Sequence, residues 1–93
     1  MMTLDQGTLF LDGAITMQTA PLLQQQGESL LQGKTAFTLV VNMQAVTQVD
    51  SAAVSLLLNW QRLAVQQSLI LSLQAVPEKL TRLLHLYNVE DLF

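Results

Sequence analysis

The sequence predicts a small α/β domain. A mixed sheet, made of an N-terminal hairpin plus parallel strands, carries helices packed against it in the order β-β-α-β-α-β-α. Three observations lead there. Short apolar, β-rich runs recur at residues 8–11, 36–41 and 69–73. Between and after them, apolar residues repeat at helical spacing, from Thr19 to Gly33, over 52–67, and from Pro77 to Tyr87. Strands joined through helices run parallel with right-handed crossovers. With 93 residues the chain is read as a single domain spanning 1–93. A chain of this size buries roughly 9,500 Å² on folding, enough for one core without staples.

Each element has its own local cause. Thr8-Leu9-Phe10-Leu11 is strand-like, and Asp5-Gln6-Gly7 supplies the turn of a hairpin over residues 2–12. Asp12-Gly13 punctuates the chain, because glycine opens a backbone path closed to other residues. The first helix is expected to start near Thr19, whose hydroxyl can cap free amides, with Pro21 in the first turn. Leu23, Gly27, Leu30 and Leu31 form its buried stripe, and Gly33 is its expected stop. Leu22 lies off that stripe, next to Gln25 and Gln26.

Ala36 to Val41 is apolar on both sides, which predicts a strand covered on both faces. Asn42 to Gln48 reads as loop. The second helix, 52–67, is the clearest element. Ser55, Asn59, Arg62 and Gln66 make one narrow polar stripe, and nearly everything else up to Val65 is apolar. Neighbouring helices or a partner must cover so wide an apolar arc. Trp60 falls on the stripe Ala53, Leu57, Trp60, Ala64 and is assigned to the core. Leu69 to Leu73 is a further buried strand. Pro77-Glu78 opens the third helix, with Leu80, Leu83, Leu84 and Tyr87 as its buried stripe. Asn88-Val89 is its stop: Asn tolerates the left-handed cap, and Val folds back onto the last turn.

Composition narrows the function. No cysteine is present, which removes disulfides, zinc thiolates and thiol nucleophiles. Charged residues are only 12%, apolar residues 51%, and 12 glutamines replace much of the missing charge. The net charge is −3. Four scattered cations, Lys34, Arg62, Lys79 and Arg82, do not make the basic patch that a nucleic-acid binder or a polybasic lipid grip uses. The N-terminus lacks a basic, apolar signal segment, and no apolar run approaches the ~20 residues of a membrane span. A soluble, cytoplasmic chain without direct membrane insertion is expected.

Catalytic and metal chemistry is not legible. His85, the only histidine, is placed on the outer side of the third helix, with no nucleophile, orienting group or further ligand at useful spacing. The carboxylates are dispersed, and the adjacent pair Glu90-Asp91 lies at the tail. No phosphate-binding glycine motif is present. No catalytic, cofactor-binding or metal-binding residue is assigned.

The informative junction is Val49-Asp50-Ser51-Ala52-Ala53-Val54, where a β segment enters a helix directly. Asp50 or Ser51 can cap that helix. Free amides and the helix dipole gather at the same place, so a hydroxyl there also tolerates a phosphate.

Val-Asp-Ser followed by small residues and a Leu-rich helix (Ala52, Ala53, Val54, Ser55, Leu56, Leu57, Leu58) resembles the signature of STAS domains, the sulfate-transporter and anti-sigma-factor-antagonist modules. The resemblance runs from the Asp5-Gln6-Gly7 turn to Leu86-Tyr87-Asn88 and includes the element order. Within the family, the segment 49–58 and the ending Leu84 to Val89 look most like the small cytoplasmic STAS subunits of Mla phospholipid transporters. That resemblance implies a non-catalytic subunit that docks on the ATPase of an ABC complex, and through it on the membrane permease, in support of outer-membrane lipid asymmetry. It implies a docking face at the start of the second helix: Asp50, Ser51, Ala52 and Ser55. Leu22 with its glutamines and Tyr87 are two further candidate patches. The alternative implied by the family is an anti-sigma-factor antagonist switched by serine phosphorylation, with Ser51 as the possible acceptor. Antagonists usually read Asp-Ser-Ser/Thr-Gly-Leu-Gly, with the second hydroxyl as phosphate acceptor in the sporulation type. Here that place is Ala52 and the glycine is Ala53, which favours a constitutive docking surface over a phosphoswitch.

Overall fold

The computed structural model describes residues 2–32 and 38–93. Strands β1 (Met2–Asp5) and β2 (Thr8–Ile15) form the expected hairpin, followed by α1 (Ala20–Leu31), β3 (Thr38–Val49), α2 (Ser51–Gln66), β4 (Ile70–Gln74) and α3 (Glu78–Leu86). A short 3-10 turn, Glu90–Leu92, ends the chain. The order β-β-α-β-α-β-α is the expected one. Gln6 and Gly7 both have positive φ, which suits a two-residue hairpin connection. The expected helix stop at Gly33, the strand start at Ala36-Phe37 and Lys34 lie outside the described residues.

The sheet runs β1-β2-β3-β4, with β1 antiparallel to β2 and the β2–β3 and β3–β4 pairs parallel. Strand order therefore follows chain order. Right-handed crossovers that all step the same way place their helices on one face of the sheet. This corrects the expectation of a sheet covered on both sides. Leu9, Leu11, Leu39, Val41, Met43 and Leu71 are buried under the helices, while the alternating Phe10 and Ile70 are exposed and Val40 is half-buried. The apolar residues on both sides of β3 indicated burial without revealing that the outer face stays open.

A second correction concerns Asn42 to Gln48. The segment is strand, not loop. Beyond the Asn42–Gln74 pair β4 stops, and β3 continues alongside β2 alone, with register shifts between Phe10 and Asp12 and between Gly13 and Ala14. A strand half paired on one side carries polar, exposed residues such as Gln44, Thr47 and Gln48, and so looks like a loop in sequence.

The helical layer is built around α2, which begins one residue before its expected start. Ala53, Leu57, Trp60 and Ala64 are all buried, as expected, and the polar stripe at Ser55, Arg62 and Gln66 is exposed. Packed α1 and α3 cover the flanks of the wide apolar arc, and Leu23, Gly27, Leu31, Leu80 and Leu84 face inward. At Gly27, α1 lies directly against Trp60 of α2. A Cβ at that position would collide with the Trp60 indole, so only glycine lets the two helices approach. The Trp60 Nε1 and Gln61 Oε1 atoms are buried without a hydrogen-bond partner among the described residues.

Two helix ends refine the expectations. Thr19 is the N-cap of α1, but its side chain makes no capping bond. Its hydroxyl instead donates to the Ala14 carbonyl at 2.9 Å and accepts from the Thr16 amide at 2.9 Å, closing the β2–α1 loop on itself. At the end of α3, Asn88 takes positive φ and the Val89 amide reaches back to the Leu84 carbonyl at 3.0 Å, the predicted stop. Tyr87 does not join the buried stripe. It is the C-cap rather than a helical residue, and it is 51% exposed.

Candidate functional site

The site forms where β3 passes into α2. Asp50 has extended backbone geometry and caps the helix: its Oδ1 accepts from the Ala52 amide at 2.8 Å. Its Oδ2 accepts from the Met17 amide at 3.0 Å, across 33 residues of sequence. The Asp50 amide donates to the Ile15 carbonyl at 3.2 Å, extending the parallel β2–β3 pairing to the helix start. One residue thus joins the ends of two neighbouring strands and the beginning of a helix.

A groove of about 510 Å³ opens beside this junction. Its floor is α2: Ala52 and Leu58 are half-buried there, and Val54 is buried. Ser51 and Ser55, one turn apart, are exposed along it. Met17 of the β2–α1 loop, 70% exposed, forms one wall, and Tyr87 and Val89 after α3 form the other. The surface is mostly apolar, with three hydroxyls (Ser51, Ser55 and the Tyr87 phenol) and one carboxylate, Asp50, whose two oxygens are already engaged. It has the make-up of a protein contact more than of a reaction centre.

The structure brings together five of the six residues singled out in the sequence: Asp50, Ser51, Ala52, Ser55 and Tyr87. Tyr87 joins them because α3 ends before it. Leu22 stands apart, 59% exposed over a separate hollow of about 370 Å³ that it shares with Gly13, Gln18 and Gln26. Met17 and Leu58 were not anticipated. Leu58 belongs to the Leu-rich run but points to the groove, and Met17 follows a buried Ile15-Thr16 pair where a strand ends.

His85 is on the surface, as expected, and its Nδ1 lies 2.8 Å from Glu90 Oε1. No group of three or more His, Cys, Asp or Glu residues is assembled among the described residues. No helix among them is long and apolar enough to cross a membrane.

The family model described as "Mlab, STAS domain" matches residues 2–93. The chain belongs to the MlaB-type STAS family. A search of curated proteins gave no match. Among solved structures, a chain of the Acinetobacter MlaFEDB complex in an ATP-bound conformation superposes on this STAS domain with a TM-score of 0.85 at 25% identity. The match covers 98% of this chain and 94% of that one. An anti-sigma factor antagonist from Mycobacterium paratuberculosis shares the fold, with a TM-score of 0.73 at 21% identity over 100% of this chain and 80% of that one. SpoIIAA, an anti-sigma factor antagonist in its unphosphorylated form, matches with a TM-score of 0.57 at 15% identity, covering 88% of this chain and 93% of that one. In this STAS domain the groove sits at the Asp50-Ser51 junction that carried the family resemblance.

Proposed function

We propose that this chain is a non-catalytic STAS subunit, one domain over 1–93, that binds and regulates or stabilises the cytoplasmic ATPase of an ABC-type phospholipid transporter. Through that partner it sits at the inner membrane and serves outer-membrane lipid asymmetry. The observation that carries this reading is the groove at the start of α2. Its hydroxyls and small side chains leave room for close approach, its rim is apolar, and both oxygens of its single carboxylate, Asp50, already accept backbone hydrogen bonds. The end-to-end match to a chain of an ATP-bound MlaFEDB complex supports it further.

The second reading is an anti-sigma-factor antagonist controlled by phosphorylation at Ser51. Exposure of Ser51 at a helix N-terminus favours it. The half-buried methyl of Ala52, at the place of the antagonists' second hydroxyl, weighs against it. The deciding experiment isolates the chain from its own cells under mild conditions. An ABC ATPase with its permease is the expected companion. A sigma-regulating kinase, together with stoichiometric phosphoserine at Ser51, would replace the first reading with the second.

A further inference from the structure

A helix N-cap needs one oxygen, and Asp50 uses two. Oδ1 caps α2 through the Ala52 amide, while Oδ2 reaches over to the β2–α1 loop and accepts from the Met17 amide. The rest of that loop is fastened to itself. The Thr16 amide bonds the Thr19 hydroxyl at 2.9 Å, the Thr16 hydroxyl bonds Gln18 Oε1 at 3.0 Å, and the Thr19 and Ala20 amides both donate to the Thr16 carbonyl at 3.0 and 2.8 Å. Met17 stands at the apex, its side chain 70% exposed and its backbone held by Asp50. A flexible, polarizable thioether on a fixed backbone adapts to a partner surface at little ordering cost.

We infer that Asp50 is a positioning residue for the docking surface: its second carboxylate oxygen anchors the β2–α1 loop and holds Met17 on the groove rim, ready for the ATPase. The inference rests on the docking reading above and adds to it a preorganised contact on a different element from α2. Capping chemistry separates the two duties of Asp50. Serine caps a helix about as well as aspartate but is too short to reach a second amide. Asparagine caps equally well and offers one accepting oxygen, not two.

The test uses the full chain and the purified ABC ATPase. Asp50→Ser and Asp50→Asn are expected to melt close to wild type, while hydrogen exchange at the Met17 amide accelerates about tenfold or more. Their affinity for the ATPase falls roughly three- to tenfold, the cost of ordering one loop residue on binding. Met17→Ala gives a loss of similar size, and Asp50→Ser combined with Met17→Ala loses no more than the larger single loss, since both remove one contact. Unchanged exchange at Met17 in Asp50→Ser, or fully additive losses, overturns the inference. Both Asp50 variants melting far below wild type makes the residue a folding element and overturns it as well. If wild type binds and both Asp50 variants bind equally well, the inference alone fails. If wild type does not bind the ATPase, the docking reading fails first and the inference falls with it.

Discussion

Helix α2 has two regions under opposite demands. Its middle, around Trp60, is closed: the indole is fully buried and α1 lies so near that Gly27 can carry no side chain. Its first turns are open: Ser51 and Ser55 are exposed, and Ala52 and Leu58 look into a groove. Small residues occur in both regions for different reasons. Gly27 is small because a neighbour in the same chain occupies the space. Ala52 and the two serines are small where the space is empty. The lesson is that smallness marks close approach, and only burial tells whether the approaching surface is already present.

Substitutions can break this contrast or sharpen it. The largest effect is expected at Trp60→Ala, which empties the centre of the core and should cost ~3–5 kcal/mol. For a domain of this size that lowers the melting temperature by roughly 12 °C or more, measurable by calorimetry. A variant that melts near wild type would show that the α1–α2 contact is not the centre of stability.

Next are Ala52→Arg and Ser55→Arg. Each places a long side chain in the groove and should cost about 2 kcal/mol of binding, near 30-fold in affinity for the ATPase. Ser55 is exposed, so its replacement should change stability by less than ~0.5 kcal/mol, and half-buried Ala52 only slightly more. Equal affinity of both variants and wild type in titration would move the interface elsewhere, with the Leu22 patch next in line. Gly27→Ala is expected to be of intermediate size. Overpacking against Trp60 costs ~1–3 kcal/mol, and better helix propensity returns up to ~1 kcal/mol, leaving a net loss visible in denaturant unfolding. Its affinity for the partner should be unchanged wherever the chain remains folded.

The smallest effects separate the groove from the rest of the surface. Leu22→Ser should alter stability by less than ~0.5 kcal/mol, and binding by less than about twofold, because Leu22 lies over a different hollow. Gln66→Ala, on the polar stripe near the far end of α2, should be silent in both assays. A strong binding defect at either position would mean that the contact surface extends well beyond the groove.

The legibility of these regions in the sequence differs in the same way. The core of α2 could be read because its polar stripe is narrow and regular. The candidate groove could be anticipated because Asp50-Ser51 lies at a strand-to-helix junction that carries a family pattern. The walls of the groove could not. Met17 reaches it through a hydrogen bond between segments 33 residues apart, which no local spacing records. Tyr87 reaches it because α3 stops one residue earlier than the repeat of leucines suggests. The second half of β3 was hidden for a related reason: it pairs with β2 alone there, so its composition follows solvent more than sheet. The open face of the sheet depended on strand order, a global property that local apolar runs do not encode.

The placement of two aromatic rings has an optical consequence. The chain contains one tryptophan and one tyrosine. The tryptophan is sealed beneath Gly27, and the tyrosine is half exposed at the groove. Trp60 lies five positions after Ser55, about 7.5 Å along the helix axis. The indole emission therefore tracks the integrity of the interior, and the phenol responds to whatever covers the first turns of α2. The sheltered indole and the half-exposed phenol therefore sit in different surroundings within one small domain.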